Sequence, residues 1–368
     1  MPAFRNQTIL EVAKGLGAFF RLELGLVRGR ALEAERRAEG NGGAVKGQQL
    51  AQLRRQVEGQ RQQLSVRESR IEKLEEQLAR GGMSQSRRMS PDRMVWIFCT
   101  PRSGSTWLYN MLQSLSGYEA WHEPLVGKLF GDFYEKNNHR GGRHYIMGGK
   151  RQHWLGPVRS FVLEAAGAKF PKLLNGGYLA VKEPGSAIGA PILMEALPES
   201  RMIFLVRDPR DVAASSFDAY SKGGWFRERR ENIRPGDSKM FARYDEKPVA
   251  QTESIAKGYL AQVEKAGEAY EQHEGPKTLV RYEDLVADTL GEMIRIHGEL
   301  GIAVDHEELS RVVLEHSWDN IPEEDRGTGK FYRKGTPGSW REDLSEEQIE
   351  AVERITAPLI ERFYADRS

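Results

Sequence analysis

Val95-Trp96-Ile97-Phe98-Cys99-Thr100-Pro101-Arg102-Ser103-Gly104-Ser105-Thr106-Trp107-Leu108-Tyr109-Asn110-Met111-Leu112 is the stretch on which the fold turns. Its first residues form an uncharged apolar run of the kind a strand buried on both faces requires. Small residues and a glycine follow, and helical periodicity starts again near residue 105. A strand–loop–helix of this composition lets the backbone wrap an anion, with successive N–H groups converging at a helix N-terminus. Ser105 and Thr106 add hydroxyl donors, and Arg102 adds a permanent charge. The pattern G-x-x-x-x-G-K-[ST] cannot be fitted, and no lysine precedes Ser105 or Thr106, so a Mg²⁺–nucleotide site has little support. The plainer reading is a tight turn entering a helix. Cys99 ends the apolar run, where a buried thiol behaves as a small hydrophobe, although a reactive thiol is the other option.

Further apolar, β-branched runs at 178–183, 201–207 and 277–283 join the one at 94–100 as expected buried strands. Helical periodicity fits 105–115, 250–273, 289–301 and 345–364. Alternation of this kind predicts an α/β domain, a parallel sheet flanked by helices on both faces. In such sheets ligands bind beyond the carboxyl ends of the strands, so residues just after each run carry the most weight.

Three more stretches fit that rule. In Arg201-Met202-Ile203-Phe204-Leu205-Val206-Arg207-Asp208-Pro209-Arg210-Asp211-Val212-Ala213-Ala214-Ser215 a strand delivers Arg207 to the sheet edge and a helix carries Ser215. A bidentate guanidinium and a hydroxyl suit a phosphate; an ion pair of Arg207 with Asp211 is the structural alternative. Phe331-Tyr332-Arg333-Lys334-Gly335-Thr336-Pro337-Gly338-Ser339-Trp340-Arg341 is a basic, glycine-rich segment that suits either an anion or an ordinary surface loop. Thr278-Leu279-Val280-Arg281-Tyr282-Glu283-Asp284-Leu285 places Tyr282 at a strand end, as a ligand contact or a core residue.

Taken together, these segments resemble the sulfotransferases that use 3′-phosphoadenosine 5′-phosphosulfate (PAPS), whose fold is similar to that of P-loop NTPases. The resemblance spans residues 95–341. It implies that Arg102 meets the 5′-phosphate and bridging oxygen, with Ser103, Gly104, Ser105 and Thr106 forming the phosphosulfate loop. Trp107 would hold the adenosine or the loop itself. Arg207 and Ser215 correspond to the 3′-phosphate segment. Arg333, Lys334 and the Gly335 backbone correspond to the loop that closes over that phosphate, with Ser339 where the family usually has Asp. Tyr282 would approach the adenine. Soluble members use a histidine in a Lys-Thr-His stretch as base, but Val181-Lys182-Glu183-Pro184 has none. The protein-tyrosine and carbohydrate branches place a glutamate a couple of dozen residues beyond the phosphate loop, where this chain has Trp121-His122-Glu123-Pro124. The expected catalytic set is Glu123 as general base, Lys182 on the leaving side and Arg102, with Glu183 and His122 as substitutes for the base. A turn carboxylate tied to backbone is the other reading of Glu123.

The implied reaction moves a sulfuryl group from PAPS to a hydroxyl or amine of a carbohydrate, a lipid or another small metabolite. Its physical demands are those of phosphoryl transfer, namely in-line positioning and charge stabilisation. No metal is expected, since no metal-ligand spacing stands out. The alternatives are a P-loop nucleotide kinase and a coiled-coil scaffold with an inactive sulfotransferase-like domain.

The remainder of the 368 residues differs in composition. Residues 1–93 hold 18 Lys+Arg against 11 Asp+Glu, a balance of +7 within a chain whose net charge is +1. Such a basic end suits an anionic surface or a solvated helical arm. Within a first segment, 1–44, the residues 8–37 have amphipathic spacing at Ile9, Val12, Leu16, Phe19, Phe20 and Leu26, for a partner helix or peripheral membrane contact. In 45–82, Leu50, Val57, Leu64, Ile71 and Leu78 recur every seven residues with Leu53 and Leu74 three further on, a coiled-coil seam that predicts a homodimer. Polar Gln60 and Arg67 interrupt it. A linker over 83–93 then leads to the domain at 94–368.

One cysteine excludes an intramolecular disulfide and fits a reducing compartment. Charges interrupt the N-terminal apolar stretch, and no window reaches the roughly 18–20 uncharged residues of a bilayer span, so a cytoplasmic location is expected. A nucleic-acid partner is not. Aromatics and histidines within 125–176 (Phe130, Phe133, Tyr134, His139, His144, Tyr145, His153, Trp154) suit a sugar or headgroup pocket or a satellite core. Arg227, Arg229, Arg230, Arg234 and Arg243 within 222–243 suit a lid over an anionic acceptor or a solvated loop.

Overall fold

Strand β1, Met94–Phe98, is fully buried along its whole length. Its side chains alternate between two cores: Met94, Trp96 and Phe98 face one, while Val95, Ile97 and the following Cys99 face the other. That period of two, apolar on both sides, marks the centre of a sheet covered on both faces. The structure, a computed structural model, describes residues 88–131 and 152–365.

Five parallel strands follow the order β2-β3-β1-β4-β5, with β2 at Tyr118–His122, β3 at Tyr178–Glu183, β4 at Arg201–Val206 and β5 at Lys277–Arg281. The expected runs at 178–183 and 201–207 form central strands. The edge strand β2, Tyr-Glu-Ala-Trp-His, was not among the expected strands. It has no fully buried residue, so its sequence lacks an apolar run. The expected strand at 277–283 ends at Arg281, and Tyr282 opens a helix instead.

Helix α1, Ser105–Ser114, packs Leu108, Met111 and Leu112 into the core that Val95 and Ile97 face. On the opposite face lie α2 (Gln152–Lys169) and α3 (Ala190–Ala196), contributing Val158, Val162 and Leu193. Helix α4, Pro209–Tyr220, begins with Asp208 accepting from the Arg210 amide and Pro209 in its first turn, where a missing N–H costs nothing. Then come α5 (Trp225–Ile233), α6 (Ser238–Glu246) and α7 (Pro248–Gln272). Helix α8 (Tyr282–Ala287) follows β5, with α9 (Thr289–Glu299) and α10 (His306–Glu315) behind it. Short α11 (Trp340–Asp343) precedes α12 (Glu346–Tyr364), which Ser345 and Gln348 start with a reciprocal capping box.

Of the segment expected as a linker, the described part is docked: Met89 is buried and its amide donates to Leu163 O at 3.1 Å. The amphipathic residues 8–37, the heptads of 45–82 and Phe133, Tyr134, His139, His144 and Tyr145 lie outside the described residues. Among the described residues no helix is long and apolar enough to cross a membrane.

Candidate active site

At the carboxyl ends of the five strands the chain delivers, in turn, the loop after β1, Glu123 after β2, Lys182 within β3, Arg207 after β4 and Tyr282 after β5. All of them line one cavity of about 550 Å³. The same cavity is lined by Arg102, Gly104, Ser105, Thr106, Trp107, Ser215, Arg333, Lys334 and Gly335. Residues separated by more than two hundred positions therefore meet because the sheet is parallel and all its carboxyl ends share one edge.

The loop is held from within. Ser103 Oγ donates to Thr100 O at 2.6 Å and shares a 2.8 Å hydrogen bond with Thr100 Oγ1. The Ser103 side chain is thus turned inward, fully buried and off the cavity wall, which leaves its backbone as the part that a donor could meet. Arg102 and Gly104 both adopt left-handed backbone, at φ 69° and 85°. A Cβ on Gly104 would stand 2.3 Å from the Tyr282 ring, so only glycine lets the loop close on that tyrosine. Cys99 beneath the loop is buried, and burial pushes its thiol up to about 12, as a core residue requires.

Three arginines meet at one end of the cavity. Arg102 Nε donates to Ser215 Oγ at 3.0 Å and Nη2 donates to Phe331 O at 2.8 Å, with the guanidinium against the rings of both Trp225 and Phe331. Its side chain therefore lies with Ser215, the residue expected at the 3′-phosphate, rather than apart from it. Burial pushes the Arg102 guanidinium down to about 10, with repulsion from Arg207 and Arg333 adding to the effect. Arg207 stacks on Tyr282 at 4.3 Å and donates from Nη1 to Arg102 O at 3.1 Å, while its buried Nε has no protein partner. Arg333 bonds Asp343 and Ser339 Oγ; Lys334 Nζ sits 3.0 Å from Glu342 and 2.9 Å from Asp343.

The Arg207–Asp211 ion pair is long, at 4.0 Å. Asp211 instead accepts from the Gly338 amide at 2.7 Å and the Trp340 amide at 3.2 Å, tying the C-terminal loop to α4. Ser339 Oγ in the same loop accepts from Arg333. Gly335, at φ 67°, lies so close to Trp318 that a Cβ would meet its ring at 2.4 Å. Trp107 donates from its indole to His316 O at 2.7 Å and, with Trp318, Val313 and Ile321, forms an apolar wall.

At the other end Lys182 Nζ lies 3.0 Å from Glu123 Oε1 and donates to Thr106 Oγ1 at 2.9 Å. The register pairs His122 with Lys182, which sets Glu123 beside the lysine, and the Glu123 amide donates to Lys182 O at 3.0 Å. Glu123 holds left-handed backbone at φ 46°, as does Leu125 at φ 60°, a strain of the kind concentrated at working sites. The substitutes for the base are placed differently. Glu183 is fully buried, accepts from the Val126 amide at 2.8 Å, and burial holds its carboxyl above the usual range. His122 is exposed, 4.0 Å from Glu123. Neither lines the cavity.

The sequence reading missed a layer of support beneath the arginines. Glu283 accepts from the Asp208 amide at 2.9 Å and from Tyr364 Oη at 3.1 Å, and Tyr259 Oη donates to Arg207 O at 2.6 Å. Arg210 bonds Asp208 and Glu353 and lies 4.3 Å from the Trp340 ring centroid. Charged residues at 208–211 and 283 were visible; their partners on α7 and α12 carry no local signal.

The sequence profile of the Sulfotransferase family matches residues 94–306, more than half of the chain. No curated protein sequence gives a significant match. Among solved structures, mouse sulfotransferase SULT7A1 complexed with PAP is 14% identical, with 75% of this chain and 87% of that one covered at a TM-score of 0.45. Sulfotransferase STF9 from Mycobacterium avium is 13% identical over 74% of this chain and 77% of that one, at a TM-score of 0.42. The sulfotransferase domain from the curacin biosynthetic pathway is 17% identical over 72% of this chain and 96% of that domain, at a TM-score of 0.40.

Proposed function

The chain belongs to the sulfotransferase family, and on that premise we propose that its cavity binds PAPS and transfers the sulfuryl group to an acceptor hydroxyl or amine. The observation that carries the reading is the convergence of Arg102, Arg207 and Arg333 on one cavity with the glycine loop, although the three cations repel one another there. Like charges gathered under burial call for an anionic ligand to offset them. Two features favour a phosphate-bearing nucleoside: the Arg207 Nε without a protein acceptor, and the apolar wall of Trp107 and Trp318, suited to a base.

In the proposed step the acceptor oxygen or nitrogen forms a bond to sulfur as the bond from sulfur to the 5′-phosphate oxygen breaks. The acceptor proton passes to Glu123, and Lys182 with the α1 N-terminus offsets charge growing on the leaving phosphate. Glu123 and Lys182 are 3.0 Å apart, which keeps base and leaving-side cation within reach of one reacting centre.

Thermal melting tests the donor assignment. A ligand that binds only the folded chain raises its melting point. We expect 3′,5′-bisphosphoadenosine to do so and ADP with Mg²⁺ not to; the reverse result would point to a nucleotide kinase. Dimerisation through the heptads of 45–82 belongs to the same proposal. Light scattering on the full chain should give twice the mass of one chain, and Leu64→Asp with Ile71→Asp should halve it.

A further inference from the structure

Helices α5 and α6 form an antiparallel hairpin beside the cavity. Phe226 and Phe241 meet at 6.2 Å, and Arg227 near the start of α5 bonds Asp245 near the end of α6 at 2.8 Å. Trp225 and Phe226 at its base line the cavity. The opposite end, the turn from Ile233 to Met240, therefore stands about 12 Å along α5 from that wall, at 1.5 Å per residue.

This tip combines exposed apolar side chains with exposed cations. Ile233 is 64% exposed and Met240 46% exposed. Arg234 and Lys239 lie between them, with Arg229 one turn before Ile233 and Arg243 one turn after Met240; all four are exposed and make no ion pair among the described residues. The acidic residues nearby are mostly committed: Asp237 pairs with Arg230, and Glu231 and Asp245 pair with Arg227. Glu228 on α5 and Glu246 at the end of α6 are exposed and remain uncommitted among the described residues. A solvated lid needs no exposed Ile and Met, and a purely ionic contact gains nothing from them.

We propose that the α5–α6 tip docks on an anionic bilayer surface, with Ile233 and Met240 entering the headgroup region and Arg229, Arg234, Lys239 and Arg243 meeting anionic lipid. Exposed apolar side chains ringed by unpaired cations have the composition of an interfacial anchor. Each cation near such a surface adds to binding through its negative potential. The inference is independent of the reaction assigned to the cavity.

The test is sedimentation of the full chain with phosphatidylcholine vesicles, with and without phosphatidylserine. Ile233→Ser with Met240→Ser, and separately Arg234→Glu with Lys239→Glu, are compared at equal melting temperature. The expected result is binding that needs phosphatidylserine, weakens with salt, and falls at least about tenfold in each double variant. No binding by the unaltered chain overturns the proposal. Variants that bind as the unaltered chain does also overturn it, since the contact then lies elsewhere, as in residues 1–44. If only the charge variant loses binding, the contact is electrostatic alone, and the proposed entry of Ile233 and Met240 into the headgroup region fails.

Discussion

The two ends of the cavity are built to different standards. At the arginine end every cation but one nitrogen is fixed by several partners: Arg333 by Asp343 and Ser339, Lys334 by Glu342 and Asp343, Arg102 by Ser215 and the Phe331 carbonyl. Asp211 ties the closing loop down from below. At the opposite end Glu123 is 40% exposed, and its side chain has one close partner, Lys182. A network with many bonds shares the loss of any member, whereas a lone carboxylate has no substitute. The difference teaches that an altered residue at the first end should change binding and stability, and one at the second end should change turnover.

Glu123→Gln gives the sharpest break between the ends. As the proposed base it should lose about 10²–10⁴-fold in turnover, the usual contribution of a positioned proton acceptor. The shift of melting point by 3′,5′-bisphosphoadenosine should stay as it is, because the close partner of the carboxylate is Lys182 and not one of the three arginines. Near-normal turnover with intact ligand binding would remove Glu123 from the mechanism and leave Lys182 without a catalytic partner.

Gly104→Ala probes the other end. The residue is left-handed at φ 85°, and its new Cβ would stand 2.3 Å from the ring of Tyr282. Tyr282 is buried and holds Arg207 by stacking, so it cannot simply swing away. Backbone strain of this kind costs about 1–3 kcal/mol, and the clash adds to it. We expect a lower melting point together with a weaker response to 3′,5′-bisphosphoadenosine. A stable variant that binds the ligand normally would show that the loop does not need its close approach to Tyr282.

The contrast between the ends also explains what the sequence made visible. Strands β1, β3 and β4 are buried on both faces, so their apolar runs stand out, and the residues that follow them fall at the cavity as the strand-end rule requires. Edge strand β2 is half-covered and carries Glu119 and His122, so its pattern gave no strand, although it sets Glu123 beside Lys182. Arg102 and Ser215 are 113 positions apart and Arg102 and Phe331 are 229 apart, and no local pattern predicts either bond. Ser103 is the converse case: inside the loop, its side chain points into the protein because Thr100 offers it two partners, and the loop's sequence does not show this. The arginine-rich 222–243 was legible as charge but not as a helical hairpin, since its few buried residues leave no apolar stripe.

The smallest expected effect is one of pH, and it separates the buried floor of the arginine end from its rim. Burial raises the Glu283 carboxyl above its ordinary value, despite the opposing Asp208 amide, Arg207 and Tyr364. A raised carboxyl binds more protons folded than unfolded, so its contribution to stability is full below the ordinary carboxylate range and is lost as pH rises through the raised value. Asp343 at the rim runs the other way. Burial pushes it up, but Lys334 and Arg333 together outweigh that and leave it lowered, so its contribution holds at neutral pH and is lost on acidification. Urea unfolding of Glu283→Gln and Asp343→Asn from pH 4 to pH 8 should therefore give differences from the unaltered chain of opposite slope. The Glu283 variant should gain on the unaltered chain as pH rises, and the Asp343 variant should fall behind it. Parallel slopes would mean that the floor and the rim do not differ in electrostatic character as the contacts of these two carboxylates require.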